Sequence, residues 1–117
     1  MAELPLISVY MPTFNRSQMV QRAIASVLAQ DYPRVELLIV DDCSTDDTWE
    51  TLNRLYGEHP QIRLFRQPHG QGACAARNLA IKAAAGEFVT GLDDDDEFLP
   101  HRLSSMMASY DDQYSCV

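Results

Sequence analysis

The sequence predicts an α/β fold in which a mostly parallel sheet carries helices on both faces, in the order βαβαβαβα. Short β-rich apolar runs alternate with amphipathic stretches of helical period. The connections are helical crossovers, which imply parallel strands and right-handed connections. Every unusual polar cluster falls where an apolar run stops, and open sheets of this kind bind ligands beyond the carboxyl ends of their strands, near a switch in strand order.

The elements follow in order along the chain. Leu6-Ile7-Ser8-Val9-Tyr10-Met11 reads as a strand stopped by Pro12. Ser17 is placed to cap a helix over residues 18–30, with Met19, Val20, Ala23, Ile24, Val27 and Leu28 on one face. Val35 to Val40 forms a second strand that ends at Asp41-Asp42. Ser44, Thr45 or Asp46 then caps a helix carrying Trp49, Leu52, Leu55 and Tyr56 and ended by Gly57. Ile62-Arg63-Leu64-Phe65 is a third strand, and the Ala-rich residues 72–85 form a helix stopped by Gly86. A fourth strand runs from Glu87 to Leu92, and Pro100 opens a last helix over about 101–110.

At 117 residues and 46% hydrophobic content the chain is one domain with a modest core. No segment has the length of a membrane span. The start has no basic n-region and does not read as a signal peptide. Cys43, Cys74 and Cys116 share no metal-like spacing; an odd count of free thiols fits a reducing compartment, and the cytoplasm is the expected location. A formal charge of −8 argues against a nucleic-acid partner. It also means that a phosphate-bearing ligand needs a metal or local arginines to draw it in. Eight of the nine basic residues are Arg, the type suited to bidentate phosphate contact.

Four polar clusters share one rim of the expected sheet: Pro12 to Arg16, Asp41 to Ser44, Gln67 to Gly72, and Asp93 to Glu97. In the last, five consecutive carboxylates repel one another unless something positive sits among them. A hard divalent cation fits such oxygen ligands, while a solvated acidic turn before a helix is the plainer reading. Of Asp41 and Asp42, one is expected to cap the following helix and the other is open to a ligand's N–H donors.

Gly70-Gln71-Gly72-Ala73-Cys74-Ala75 fits G-x-G-x-x-A and opens a helix, the outline of a dinucleotide (NAD) fingerprint. Gln67, Pro68 and His69 separate it from the strand, whereas that fingerprint needs an immediate turn, so these glycines are read as letting the backbone pass close to a ligand. A haloacid-dehalogenase-type D-x-D site wants Thr or Val where Glu97 stands, and a response-regulator receiver wants acids after the first strand, where Met11-Pro12-Thr13 stands. His59, His69 and His101 share no metal spacing.

Leu6 to Arg16, Ser26-Val27-Leu28-Ala29-Gln30, Glu36 to Asp46, Gly72 to Asn78, Ala85 to Val89 and Leu92 to Asp96, in this order and spacing, resemble a family 2 glycosyltransferase of the GT-A fold. The resemblance covers nearly the whole chain, from Leu6 to about Leu103. It implies a GT-A-type, Rossmann-like sheet cut off after the metal motif, a nucleotide-sugar donor, most often a UDP-sugar, and a divalent metal, Mn²⁺ or Mg²⁺. Carried over by position, Pro12 and Thr13 line the base pocket with Asn15 among the donor-binding residues, and Asp42 accepts from the uracil ring. Arg77 approaches the base or diphosphate, Asp93 holds the ribose or sugar, and Asp95 ligates the metal. Asp94 stands where the family usually has a small residue such as Ser.

Family members are about twice this length or more, with the catalytic base and acceptor site after the metal motif. The chain is therefore expected to be the donor-binding half of an inverting transferase, with its base beyond Val117 and no turnover by itself. The expected acceptor is a polysaccharide, a lipid-linked saccharide or a protein, and surface left open by the missing half favours a homo-oligomer. A nucleotide-binding or interaction domain without catalysis, on the same fold, is the alternative.

Overall fold

The structure is a computed structural model and describes residues 5–92, 94 and 97–113. Four strands and four helices alternate: β1 (Ile7–Thr13), α1 (Ser17–Leu28), β2 (Val35–Asp41), α2 (Thr48–Tyr56), β3 (Ile62–Arg66), α3 (Ala73–Ala83), β4 (Phe88–Gly91) and α4 (Arg102–Gln113). The sheet is wholly parallel in the order β3-β2-β1-β4. The chain steps outward from β1 to β3, then crosses back to place β4 on the other side of β1. That reversal puts a crevice at the carboxyl ends of β1 and β4.

Alternation along the strands divides the core in two. Odd-numbered residues of β1 and β2, including Ile7, Val9, Met11, Leu37 and Ile39, pack with Val20, Ala23, Ile24 and Val27 of α1, Leu52 of α2 and Leu103 and Met107 of α4. Even-numbered Leu38 and Val40 pack on the other face against Ala76 and Ala80 of α3, bordered by Tyr10 and Phe65. Each fully buried Leu or Ile contributes about 1.5–3 kcal/mol, so the three-helix face supplies most of the apolar stabilisation. The small side chains of α3 let that helix lie close to β1 and β2.

Several boundaries differ from the sequence expectation. β1 does not stop at Pro12 but runs through it to Thr13. Along β1 the odd residues bond toward β2 and the even ones toward β4, as Ile7 N–H to Arg34 and Leu92 N–H to Tyr10 show. The register with β4 ends at Tyr10 opposite Gly91, so the N–H that Pro12 lacks would have pointed past the end of β4. Ser17 is the first residue of α1 and its side chain caps nothing, and the helix ends at Leu28. Gln30 beyond it turns to α4 instead: its Nε2 donates to Leu99 O at 2.6 Å and its Oε1 accepts Leu103 N–H at 2.9 Å. That carboxamide caps α4, and Pro100 lies in the turn before it.

At the amino-terminal edge of the sheet a polar clamp holds the α3–β4 turn. Ser8 Oγ, fully buried, donates to Glu36 Oε2 at 2.6 Å and accepts Gly86 N–H at 2.8 Å. Glu36 Oε2 also accepts Ala85 N–H at 2.7 Å, and Arg63 Nη1 lies 3.3 Å from Oε1. Burial pushes the Glu36 carboxyl up, but the bonds from Ser8, Ala85 and Arg63 outweigh it and leave its pKa below the ordinary value. These two N–H groups are drawn to the sheet, and α3 ends at Ala83, two residues short of the expected end.

Candidate functional site

The four polar clusters meet on one rim, joined by side-chain bonds across long stretches of sequence. Asp41, fully buried at the end of β2, turns toward α2: its carboxylate accepts Ser44 N–H at 2.9 Å and Ser44 Oγ–H. Arg66 Nε lies 3.4 Å from it, and Arg66 Nη2 donates to Ser44 O at 3.1 Å. Asp46 holds the first turn of α2, its Oδ1 accepting Thr48 N–H at 2.9 Å. Asp41 is thus spent on structure.

Asp42 turns the other way, toward α3. Its Oδ1 accepts from Gln67 Nε2 at 2.6 Å and from Gln71 N–H at 2.8 Å, and its Oδ2 accepts Gly72 N–H at 2.9 Å. Gly72 has φ of +90°, the left-handed region where glycine carries no steric cost, and open space lies where a Cβ would stand. The glycine turn therefore wraps the carboxylate and starts α3. A carboxylate has about four acceptor positions, three of which are filled here, so Oδ2 keeps one toward the rim. Gln67, which the sequence placed in a rim cluster without a role, is almost fully buried and fixes Asp42. Its position directly after β3 placed it on the rim; the partner it takes there, Asp42, comes from the fold.

The β1–α1 loop is locked to the β2–α2 loop through Asn15. Its N–H donates to Ser44 Oγ at 2.8 Å, and its Oδ1 accepts Thr45 N–H at 2.8 Å and Asp46 N–H at 3.2 Å. Asn15 itself has φ of +52°, which Asn tolerates better than most residues. The carboxamide expected among the donor contacts thus has a local task, holding the pocket wall. Pro12 is half-buried at the end of β1 and Thr13 is buried beside it.

Thr13 Oγ1 donates to Asp94 Oδ2 at 2.8 Å, and Arg16 Nε lies 3.8 Å from the same oxygen. This pair ties the acid run to the end of β1, although 81 positions separate the two residues. Asp94 therefore faces β1, and the charge it adds is answered by Thr13 and Arg16. Asp93 and Asp95, the expected sugar and metal residues, lie outside the described residues. Among the described residues no three His, Cys, Asp or Glu side chains converge on one point. The run offers an all-oxygen donor set, which fits Mn²⁺ or Mg²⁺ in kind.

Arg77, expected at the base or diphosphate, is an exposed residue of α3. It lies over the Tyr10 ring, 6.0 Å from the centroid, and lines a cleft of about 340 Å³ with Tyr10, Gly91, Leu92, Glu97, Phe98 and Arg102. No described helix is long and apolar enough to cross a membrane.

Residues 8–117 match the profile described as Glycosyl transferase family 2. A relative in Escherichia coli (strain K12), bearing the name of a colanic acid biosynthesis glycosyl transferase, WcaA, is 53% identical over 89% of this chain and 37% of its own. A Campylobacter jejuni protein named GalNAc(5)-diNAcBac-PP-undecaprenol beta-1,3-glucosyltransferase is 39% identical over 97% of this chain and again 37% of its own. The chain thus spans a little over a third of the length of these relatives. Among solved structures, S. aureus TarS 1-349 in complex with UDP-GlcNAc superposes with a TM-score of 0.82 at 31% identity, over 94% of this chain and 32% of that one. The mannosyltransferase PcManGT from Pyrobaculum calidifontis, in complex with GDP-Man and Mn²⁺, gives 0.77 at 31% identity, over 90% of this chain and 31% of that one.

Proposed function

Because the chain belongs to glycosyl transferase family 2, we propose that its rim is the donor site of a transferase moving a sugar from a nucleotide diphosphate, UDP, to an acceptor hydroxyl with inversion. The observation behind this reading is the Thr13–Asp94 bond beside Asp42. It draws the acid run and a carboxylate with an open acceptor position to the ends of adjacent strands. A nucleotide bridges such a pair, base at one end and diphosphate at the other.

Asp42 Oδ2 accepts the imino N–H of uracil, its orientation fixed by Gln67, Gln71 and Gly72. Pro12 and Thr13 line the base pocket, and Asn15 holds its loop. Asp93 is assigned to the ribose or sugar and Asp95 to a divalent cation. Such a cation supplies Lewis-acid stabilisation of the leaving diphosphate. Thr13 and Arg16 hold the acid run in place through Asp94. An acceptor hydroxyl attacks the anomeric carbon from the face opposite the leaving group and gives its proton to a general base; no residue of this chain is assigned that task. The relatives' names support a saccharide or lipid-linked acceptor.

Calorimetric titration with UDP, with and without Mn²⁺, tests the reading. UDP binding should depend on the metal, fall about tenfold or more in Asp42→Ala, since a bond to a charged group contributes about 1.5–3 kcal/mol, and lose its metal dependence in Asp95→Ala. Absence of any nucleotide binding would point to an interaction domain on the same fold, and binding of NAD to a dinucleotide site at Gly70–Gly72.

A further inference from the structure

The stretch Ser26-Val27-Leu28-Ala29-Gln30 carries part of the family resemblance, yet none of its residues is assigned to the donor. Both of its polar side chains reach one short segment, the one that directly follows the acid run. Ser26 Oγ, half-buried on α1, accepts Phe98 N–H at 3.0 Å while donating to Ala23 O at 2.7 Å. Gln30 Nε2 donates to Leu99 O at 2.6 Å, and its Oε1 accepts Leu103 N–H at 2.9 Å. Asp31 N–H donates to Pro100 O at 3.1 Å. Leu103 is buried in the same cluster as Ile24 and Val27 of α1, and Phe98 packs against it. Two charged contacts add little, because exposed pairs are screened by water: Arg22 with Glu97 at 3.8 Å and His101 with Asp31 at 2.6 Å. On the amino side of the run the anchor is β1, through Leu92 N–H to Tyr10 O at 3.1 Å and Thr13 to Asp94.

We propose that Ser26 and Gln30 are positioning residues for the acid run: they strap its carboxyl side to α1 and so keep its carboxylates ready for a divalent cation. Adjacent carboxylates repel, and a run free at one end relieves that repulsion by spreading. A run tied at both ends has less freedom to lose when its oxygens close on an ion. Every residue from Asp93 to Asp96 is, or is next in sequence to, one that β1 or α1 holds: Leu92, Asp94 or Glu97. Capping of α4 explains only part of the strap. The Leu103 bond belongs to that helix, but those to Phe98 N–H and Leu99 O fall before it begins at Arg102. The inference rests on the donor reading only in taking the run to hold a cation.

Two measurements on wild type, Ser26→Ala and Gln30→Ala test this. The first is hydrogen exchange read by peptide mass spectrometry. Exchange over Leu92 to Leu103 should quicken about fivefold in each variant, as loss of a hydrogen bond predicts, while peptides from β2 and β3 keep their protection. Ser26→Thr keeps the hydroxyl and should restore wild-type exchange. Gln30→Glu keeps the acceptor for Leu103 N–H but not the donor to Leu99 O, and should restore only part. The second is the ratio of UDP affinities with and without Mn²⁺, which partial unfolding leaves unmoved because it lowers both alike. That ratio should fall about threefold or more in Gln30→Ala, as a smaller competent fraction of the run predicts, with uridine affinity unchanged. Exchange equal in wild type and variants, or quickened equally in β2 and β3, overturns the proposal. So does quickened exchange with an unchanged Mn²⁺ ratio, which would leave Ser26 and Gln30 as supports of α4 alone. Wild-type UDP binding that ignores Mn²⁺, with exchange responding as expected, overturns the metal in the donor reading and leaves the strap on the run standing.

Discussion

Asp41 and Asp42 are neighbours in sequence, yet their carboxylates serve opposite faces of the sheet. The strand's alternation decides this: Asp41 continues the face of Leu37 and Ile39 toward α2, and Asp42 that of Leu38 and Val40 toward α3. Removing Asp41 orphans Ser44 N–H and leaves Arg66 without its acid. Asp41→Ala should cost about 1–3 kcal/mol of stability, with UDP affinity falling only through the fraction unfolded. Asp42→Asn keeps an acceptor for Gln67 and Gln71 and sets an amide N–H against Gly72 N–H, an exposed contact that water can relieve, so it should lose less stability, yet weaken UDP about tenfold through loss of the charge-assisted bond to the base. Urea unfolding and UDP titration on both variants read the split. Equal stability losses with UDP binding intact in Asp42→Asn would refute the division of labour. The sequence separated the pair into a cap and a residue open to a ligand, but Asp41 holds Ser44 in the loop rather than capping α2. Which was which also lay in the parity of β2, but the partners did not: Arg66 and Gln67 arrive from β3, and only the folded register brings them alongside.

At the scale of elements, the strands and helices were readable because their apolar periods are long and their connections short. The ends were not, because tertiary bonds set them: Gln30 reaches α4, the Glu36–Ser8 clamp takes the turn after α3, and Pro12 stays in β1 beyond the end of β4. The Thr13–Asp94 contact was equally hidden, since it follows from β1 pairing with β4 across the whole intervening chain. The clamp makes a pH prediction. Glu36 has a folded pKa below its ordinary value, so its carboxylate binds protons less readily folded than unfolded. Its stabilising contribution is therefore full above the unfolded value of about 4.3 and is lost as pH falls through the lower folded value. Glu36→Gln should be less stable than wild type near neutral pH, and the gap should close on acidification. Denaturant unfolding of both proteins across that range gives the curve; a gap that stays constant or widens in acid would contradict the clamp.

The whole molecule is a four-stranded sheet whose outer strands differ in how their free edges are guarded. β3 carries Arg63 and Arg66, both engaged with acids of β2, and charges on an outer strand discourage pairing with another chain. β4 reads Phe-Val-Thr-Gly, has no charge, and pairs with β1 only, through Ile7 to Tyr10. All four of its residues are half-buried. Among the described residues no strand but β1 pairs with it, and an outer strand without charge is a template for a second strand. The chain is therefore expected to self-associate through β4 as its concentration rises. Sedimentation velocity should show a weight-average mass climbing above 13.2 kDa, while Thr90→Lys, which places a charge on that strand, should hold the chain near the monomer mass. Thr90 is half-buried at the middle of the strand on the face of Val9 and Phe88, so urea unfolding of Thr90→Lys is measured alongside, and the comparison holds when its stability matches wild type. If the wild type sediments as a single monomeric species at the highest concentration reached, the β4 edge is guarded by something other than charge. If wild type and Thr90→Lys associate equally, the contact runs elsewhere, and α3, with Leu79 and Ile81 exposed, is the next surface to test.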